Sequence, residues 1–141
     1  MNVQVLIKLD GSGNYTGGLI QQPFLSNGNV HIWFTGAPGT PQGANAVTVL
    51  HAHCAGNGGS SIAVKLDNGD GNSFLGGDFE NFGIAFYLGS RAVNNSFHGV
   101  RVENDKHDFI AASGSSHNLA QTPGALKYID RGTQNSIVLG R

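Results

Sequence analysis

The sequence has few charged residues, and those it has are nearly balanced in sign. Asp, Glu, Lys and Arg make up 12% of the 141 residues and the formal net charge is -1, whereas an average soluble domain is about 25% charged. Lys and Arg are also scattered without runs, so the chain lacks a basic patch that would attract phosphate groups. We therefore expect neither nucleic acid nor an anionic membrane as a partner.

Cysteine and long apolar runs are scarce as well. Cys54 is the single cysteine of the sequence, which excludes a disulfide within the chain. The opening MNVQVLIKL has no basic segment followed by a long apolar run, and no stretch approaches the roughly 18 apolar residues of a membrane-spanning helix. We therefore expect no signal peptide and no membrane insertion.

Glycine and asparagine, by contrast, are abundant and interrupt the chain every few residues. The 22 glycines and the asparagines cluster in strings such as SNGN, GNGGSS and DNGDGN, and the runs between them are too short for helices. Those runs, among them VQVLIKL, VHIWF, SIAVKL and IAFYL, are rich in the branched and aromatic residues that strands favour. The sequence predicts an all-β chain that forms one domain over residues 1–141.

An internal repeat identifies the kind of β-structure. The string NSFLGGDFEN at residues 72–81 returns as NSFHGVRVEN at residues 95–104, and IAVKL at 62–66 returns as IAFYL at 84–88. Hairpin proteins have no reason to repeat letters at a fixed interval. A solenoid does, because equivalent strands of successive coils pair in parallel about 4.8 Å apart. We predict a single-stranded parallel β-helix with about 22–23 residues per coil and about five to six coils.

Stacking of coils gives most of the repeated residues a structural role. Phe74 over Phe97 and Phe79 over Val102 should form apolar columns inside the coil. Two glycines at the same step should occupy matching bends where a side chain would collide: Gly76 and Gly99. The asparagines form two sets, which we interpret as hydrogen-bonded ladders at corners: Asn72, Asn95 and Asn118, and Asn81 and Asn104.

The NSFxGxxxEN unit and the opening VLIKLDGSGNYTGGLIQQPFLSNGNVHIWFTGAPGTP resemble the right-handed parallel β-helices of the pectate-lyase-like superfamily, especially phage tailspikes and tail-fibre depolymerases. The resemblance covers nearly the whole chain and rests on the style of the repeat. It implies a flank that binds or cleaves polysaccharide, a homotrimer, and a location outside the cell or on the virion surface. Family members commonly have a capping helix and more coils. We therefore expect a fragment of a longer β-helix, or subunits that cap one another.

Charged residues inside the repeat form the strongest candidate site. Glu80 should lie one coil below Glu103, near the separation of about 5–5.5 Å between the carboxyl groups of retaining glycosidases. The proximity of like charges should raise the pKa of one carboxyl. The same step sets Asp78, a third candidate catalytic residue, under Arg101, and one inserted residue sets Lys127 above Glu103. Arg101 and Lys127 could neutralise an acidic sugar, but the same charges could equally form ordinary ladder pairs on a solvated face.

Aromatic and histidine side chains complete the candidate substrate-binding set. Tyr87 and Phe86 have opposite parity in one strand, and we favour Tyr87 as the outward residue that contacts a sugar. His98 is the other candidate in this set. Trp33 does not alternate cleanly with its neighbours, which is compatible with a position in the core.

Metal-ligand types occur in the sequence without a complete site. His51 and His53 would lie on one face of a strand, but no third ligand is visible. Three aspartates lie in glycine-rich turns without a known calcium motif: Asp10, Asp67 and Asp70. These turns leave calcium binding open as an alternative, and we predict no metal and no cofactor.

Three functions remain from different classes. The first is a carbohydrate-binding segment of a phage tailspike, tail fibre or cell-surface protein. The second is a polysaccharide depolymerase, a glycoside hydrolase or lyase that acts along the solenoid flank. The third is a purely structural shaft that forms trimers.

Overall fold

The computed structural model describes residues 4–10, 15–36, 43–123 and 126–140. These residues contain no helix, and hence none long and apolar enough to cross a membrane. The twelve strands are β1 (Val5–Asp10), β2 (Tyr15–Gln21), β3 (Phe24–Ser26), β4 (Val30–Thr35), β5 (Ala44–Asp70), β6 (Ser73–Val93), β7 (Ser96–His98), β8 (Arg101–Glu103), β9 (His107–Ala111), β10 (Leu119–Pro123), β11 (Tyr128–Asp130) and β12 (Ser136–Gly140). Their pairings are parallel and join them into one sheet.

The sheet winds into a parallel β-helix of about five turns, which confirms the predicted fold. Three faces surround its core. Face A contains β2, β7, β10 and β12 with residues 47–50 of β5 and 73–75 of β6. Face B contains β3 and β8 with residues 53–55 and 78–80. Face C contains β1, β4, β9 and β11 with residues 62–66 and 84–88.

The length of a coil varies along the solenoid. Partners in one column of face A are Ile20, Val49, Phe74, Phe97, Ala120 and Ile137. The steps between them are 29, 25, 23, 23 and 17 residues. The predicted 22–23 residues per coil therefore hold only in the centre. The longer coils place their extra residues at corners, because only the strands have to keep register. Gly58 and Gly59, both with positive φ, lie at such a corner.

Aromatic columns fill the interior as the repeat predicted. Phe74 and Phe97 are stacked, with ring centroids 4.9 Å apart and an interplanar angle of 9°. Phe79 pairs in register with Val102, and Phe86 packs at 4.8 Å against both Phe79 and Phe97. Burying such a side chain contributes roughly 1.5–3 kcal/mol, so each ring of these columns stabilises the fold.

The corners repeat a left-handed backbone. Gly76 and Gly99 have φ of 61° and 63°, so the predicted matching bends are confirmed. A Cβ on Gly76 would lie 2.7 Å from His51 Nδ1, whereas a Cβ on Gly99 would meet no described atom within 4 Å, so the predicted collision holds only at Gly76. Asn81 and Asn104, with φ of 62° and 58°, mark another corner. Their side chains are exposed, and within the described parts of the chain no hydrogen bond joins them. The second predicted ladder is therefore wrong, because these asparagines point into solvent.

The first asparagine ladder is confirmed and is longer than predicted. Asn72 Nδ2 donates to Asn95 Oδ1 at 2.9 Å, and Asn95 Nδ2 donates to Asn118 Oδ1 at 2.9 Å. Asn118 Nδ2 continues the ladder to Asn135 Oδ1 at 3.0 Å. The backbone N–H of each donor asparagine binds the same oxygen. Because Asn72, Asn95 and Asn118 are buried, the ladder satisfies polar groups that would otherwise be costly.

Candidate functional site

Two outward rows of side chains run along face B, parallel to the solenoid axis. The first row contains Phe24, His53, Asp78 and Arg101, and the second contains Ser26, Ala55, Glu80 and Glu103. The residues between the two rows point inward, since side chains alternate along a strand: Leu25, Cys54, Phe79 and Val102. Face B therefore presents one residue of each row per coil, about 4.8 Å apart.

The first row is a continuous chain of contacts. Phe24, with 73% of its surface exposed, stacks on His53 with ring centroids 4.9 Å apart and an interplanar angle of 15°. His53 Nδ1 lies 3.7 Å from Asp78 Oδ2, and Arg101 Nη1 lies 3.2 Å from Asp78 Oδ1. The row thus places an aromatic ring, an imidazole, a carboxylate and a guanidinium in line on the surface.

The second row contains the two predicted glutamates. Glu80 and Glu103 pair in register on adjacent coils, as predicted, and Asp78 pairs with Arg101. Arg101 Nη2 lies 2.6 Å from Glu103 Oε1, and this hydrogen bond and charge, with the weaker effect of Asp78, raise the pKa of Arg101. The guanidinium is therefore held between two carboxylates, while none of the described ion pairs involves Glu80.

Lys127 does not lie above Glu103. Its backbone N–H donates to Asp108 Oδ2 at 2.6 Å and its Nζ donates to the Asp105 carbonyl at 2.9 Å, which places it at the corner between faces B and C. The chain in this coil is shortened, with β11 pairing to β9 at a step of 19 residues from Phe109 to Tyr128. A prediction based on a coil of nearly constant length therefore set Lys127 in the wrong column.

Tyr87 and His98 lie away from face B. Tyr87 is on face C, in register with Lys65 and Ile110, and is partly exposed, whereas Phe86 is buried. The predicted alternation is therefore confirmed. His98 is on face A, where its Nδ1 lies 3.3 Å from Gln121 Oε1. The structure thus brings together on face B only Asp78, Glu80, Arg101 and Glu103 of the predicted site residues.

Trp33, for which the sequence left a core position open, is a partly exposed, outward residue of face C. The Nζ atoms of Lys8 and Lys65 lie 5.2 Å and 4.4 Å from its ring centroid, and its Nε1 donates to Asp67 Oδ2 at 2.8 Å. His31, two residues before Trp33, is buried and packs edge-on against Phe82. Because a polar residue thus takes an inward position, the alternation of apolar and polar residues along this strand is not clear from the sequence. Because lysines cover the ring of Trp33, it is a poor stacking platform for a ligand.

A carboxyl that the sequence analysis did not single out has the raised pKa. Asp105 is 3% exposed, and desolvation, opposed by the Phe82 N–H and reinforced by Asp108, raises its pKa to about 7. Its Oδ1 accepts a hydrogen bond from the Phe82 N–H, while its Oδ2 is buried without a hydrogen-bond partner among the described residues. The sequence offered one clue to this carboxyl, because Asp105 stands 23 residues after Phe82 and so puts an acidic residue at an aromatic position of the repeat.

The potential metal ligands are engaged elsewhere. His51 has φ of 49° at a bend, so it does not share a regular strand face with His53, contrary to expectation. Asp10 pairs with Lys8 and Asp67 with Lys65, while residues 11–14 of the first aspartate turn lie outside the described residues. Within the described ranges, no group of three or more His, Cys, Asp or Glu side chains converges.

Cys54 is an interior residue of face B rather than a reactive one. The thiol is fully buried, and desolvation raises its pKa to about 12. Since the thiolate is the nucleophilic form, Cys54 acts as a small apolar core residue.

Comparison with known proteins found no relative of the chain. No protein-family model matches the chain, and no curated protein or solved structure is significantly similar to it.

Proposed function

We propose that the chain is a carbohydrate-binding β-helix segment that holds a polysaccharide along face B, as in a phage tailspike, a tail fibre or a cell-surface protein. The observation that carries this proposal is the continuous outward row of Phe24, His53, Asp78 and Arg101. Its three inter-coil steps span about 14 Å. A row of this length suits an elongated ligand better than a single small molecule.

The chemistry of the row fits the two kinds of surface that a sugar ring presents. The exposed ring of Phe24 offers an apolar stacking surface, and the carboxylates and guanidinium offer acceptors and donors for hydroxyl groups. Asp78, Glu80 and Glu103 outnumber Arg101 in formal charge. A neutral glycan therefore fits this face better than an acidic one, which these carboxylates would repel.

A polysaccharide array tests the proposal. The wild-type chain should bind at least one neutral polysaccharide, and Arg101→Ala should lose that binding because Asp78 and Glu103 are left without their shared cation. Arg131→Ala, which removes an exposed arginine outside face B, is the matched control and should bind normally. Absence of binding to every glycan at millimolar concentration would leave the chain with the third function, a structural shaft.

Cleavage of the bound polysaccharide is the alternative, and the register of Glu80 with Glu103 favours it. The pair supplies two carboxyl groups on adjacent coils, as glycoside hydrolysis requires, and Glu103 lies beside Arg101. Release of new reducing ends would reveal hydrolysis. Glu80→Gln and Glu103→Gln should each abolish that release and leave polysaccharide binding intact, whereas binding without cleavage by wild type would refute the enzyme.

The pectate-lyase-like and tailspike resemblance extends the proposal to a right-handed coil, a homotrimer, and a location outside the cell or on the virion surface. Three large apolar side chains outside face B are exposed and would pack between subunits: Leu19, Tyr128 and Val138. Light scattering of the purified chain tests the trimer directly. A monomeric mass across the accessible concentration range would refute it.

A further inference from the structure

A groove lies at the corner between faces C and A, away from face B. Its described lining residues are Asn68, Asp70, Ser90, Arg91 and Val93, and its volume is about 370 Å³. This volume lies within the range of roughly 300–1,000 Å³ that is usual for small-molecule pockets. Asn68 pairs with Arg91 and Asp70 with Val93, so two adjacent coils hold the lining residues in fixed positions.

The carboxylate of the groove is oriented before any ligand binds. Asn94 Nδ2 donates to Asp70 Oδ1 at 2.8 Å, and the Asp70 N–H donates to Asn45 Oδ1 at 3.1 Å. Asp70 is nevertheless exposed, which leaves its Oδ2 accessible to a ligand hydroxyl. A carboxylate fixed in this way loses little conformational entropy on binding.

The lining residues favour a neutral, hydroxylated ligand. Asp70 supplies an acceptor, Arg91 carries donors, and the exposed Ser90 hydroxyl can do both, while the Val93 methyl groups offer an apolar contact. Among the described lining residues the formal charges of Asp70 and Arg91 cancel, so neither a phosphate nor a metal cation would meet a surplus of opposite charge from them. A sugar ring combines hydroxyl groups with an apolar C–H surface.

We propose that this groove is a second binding site, which holds a single neutral sugar residue or a comparable cyclic polyol. The site is separate from face B in position and in the size of its ligand, so it does not depend on polysaccharide binding there. Hydroxyl groups of the ligand donate to Asp70 and accept from Arg91, and the C–H surface of the ring packs against Val93.

Titration of the isotope-labelled chain with glucose, galactose and mannose, each followed by amide NMR, tests the proposal. At least one sugar should cause saturable shifts at residues 68–70 and 90–93 in the millimolar range. Asp70→Asn, which removes the charge with little change in shape, should weaken binding about tenfold, because a hydrogen bond to a charged acceptor is stronger than one to a neutral amide. Asp10→Asn, at an exposed aspartate outside the groove, is the control and should bind like wild type.

Several results would overturn the site. They are no saturable shift with any of the three sugars, shifts confined to other faces, equal affinity in Asp70→Asn, or inorganic phosphate binding in the groove as tightly as the sugars. The outcome is distinguishable from that of face B. If polysaccharide binds, Arg101→Ala removes that binding and no sugar shifts residues of the groove, only the groove site is refuted. If a sugar shifts residues of the groove and no polysaccharide binds, only the face B site is refuted.

Discussion

The inner and outer residues of the same coils follow different rules. Inside, Asn72, Asn95 and Asn118 keep one residue type from coil to coil and bind one another at 2.9 Å. Outside, the first row of face B changes type at every coil, from aromatic to imidazole to carboxylate to guanidinium. The interior accepts apolar side chains of varying size, as in the column of Leu25, Cys54, Phe79 and Val102, and polar groups that satisfy one another, as in the asparagine ladder. The surface is free of that constraint. The chemistry of the side chains is therefore restricted inside this solenoid, and the free change of chemistry along the first row of face B marks a surface that is available for binding.

The largest expected effect comes from removing an interior ring. Phe97→Ala should lower the free energy of unfolding by about 3–5 kcal/mol, because the ring stacks on Phe74 and packs against Phe86 and Phe109. Urea unfolding measures the change. His98→Ala, at the adjacent outward residue of the same strand, is the control and should change the free energy of unfolding by less than about 1 kcal/mol. Similar losses in the two variants would contradict the difference between inward and outward residues.

Breaking the asparagine ladder should cause the second-largest loss of unfolding free energy. Asn95→Ala deprives the Asn72 N–H and Nδ2 of their acceptor and the Gly69 carbonyl of a donor, and each buried unsatisfied group costs about 1–3 kcal/mol. We expect a loss of about 3 kcal/mol in urea unfolding. The control is Asn104→Gly, which preserves the left-handed corner and removes only an exposed side chain. Equal losses in the two variants would show that the exposed asparagines also support the fold.

Asp105 should make stability depend on pH. Its raised pKa, about 7, means that the folded chain binds this proton more tightly than the unfolded chain. The stabilisation is thus complete below the unfolded pKa, near 4, and is lost as pH rises through 7. Asp108, Glu80 and Lys127 also act on this carboxyl.

Between pH 5 and pH 8, wild type should lose about 2 kcal/mol of unfolding free energy through this group. Asp105→Asn should flatten the profile over that interval, while Asp10→Asn, at an exposed position, should retain the wild-type slope. Urea unfolding at several pH values measures both. A slope in Asp105→Asn equal to that of wild type would place the titrating group elsewhere.

Sequence reasoning succeeded where the coil length is constant. The 23-residue step found the Asn72 ladder, the Phe74 column and the Glu80 pair. It missed Phe24 and His53, because the coils before residue 74 are 29 and 25 residues long. For the same reason it missed Asn135, 17 residues after Asn118. Corner insertions are nearly free of register constraints, so periodicity alone cannot locate residues beyond them.

Errors of another kind came from side chains whose surroundings the repeat does not specify. Asn81 and Asn104 have the predicted backbone, yet their side chains face solvent, because a left-handed corner does not determine which way the amide points. Asp105 carried a visible signal, a carboxyl at an aromatic position of the repeat. Its burial, however, depends on the packing of the corner, which only three-dimensional structure defines.

The most direct test of the central claim compares wild type with Arg101→Ala in two measurements on the same samples. These are the affinity for an oligosaccharide derived from the polysaccharide that binds, and the free energy of unfolding in urea. The account predicts an affinity at least about tenfold lower, with a change in unfolding free energy below about 1 kcal/mol, since exposed ion pairs contribute little. An unchanged affinity with a loss of several kcal/mol would show that the row on face B supports the fold and does not bind glycan.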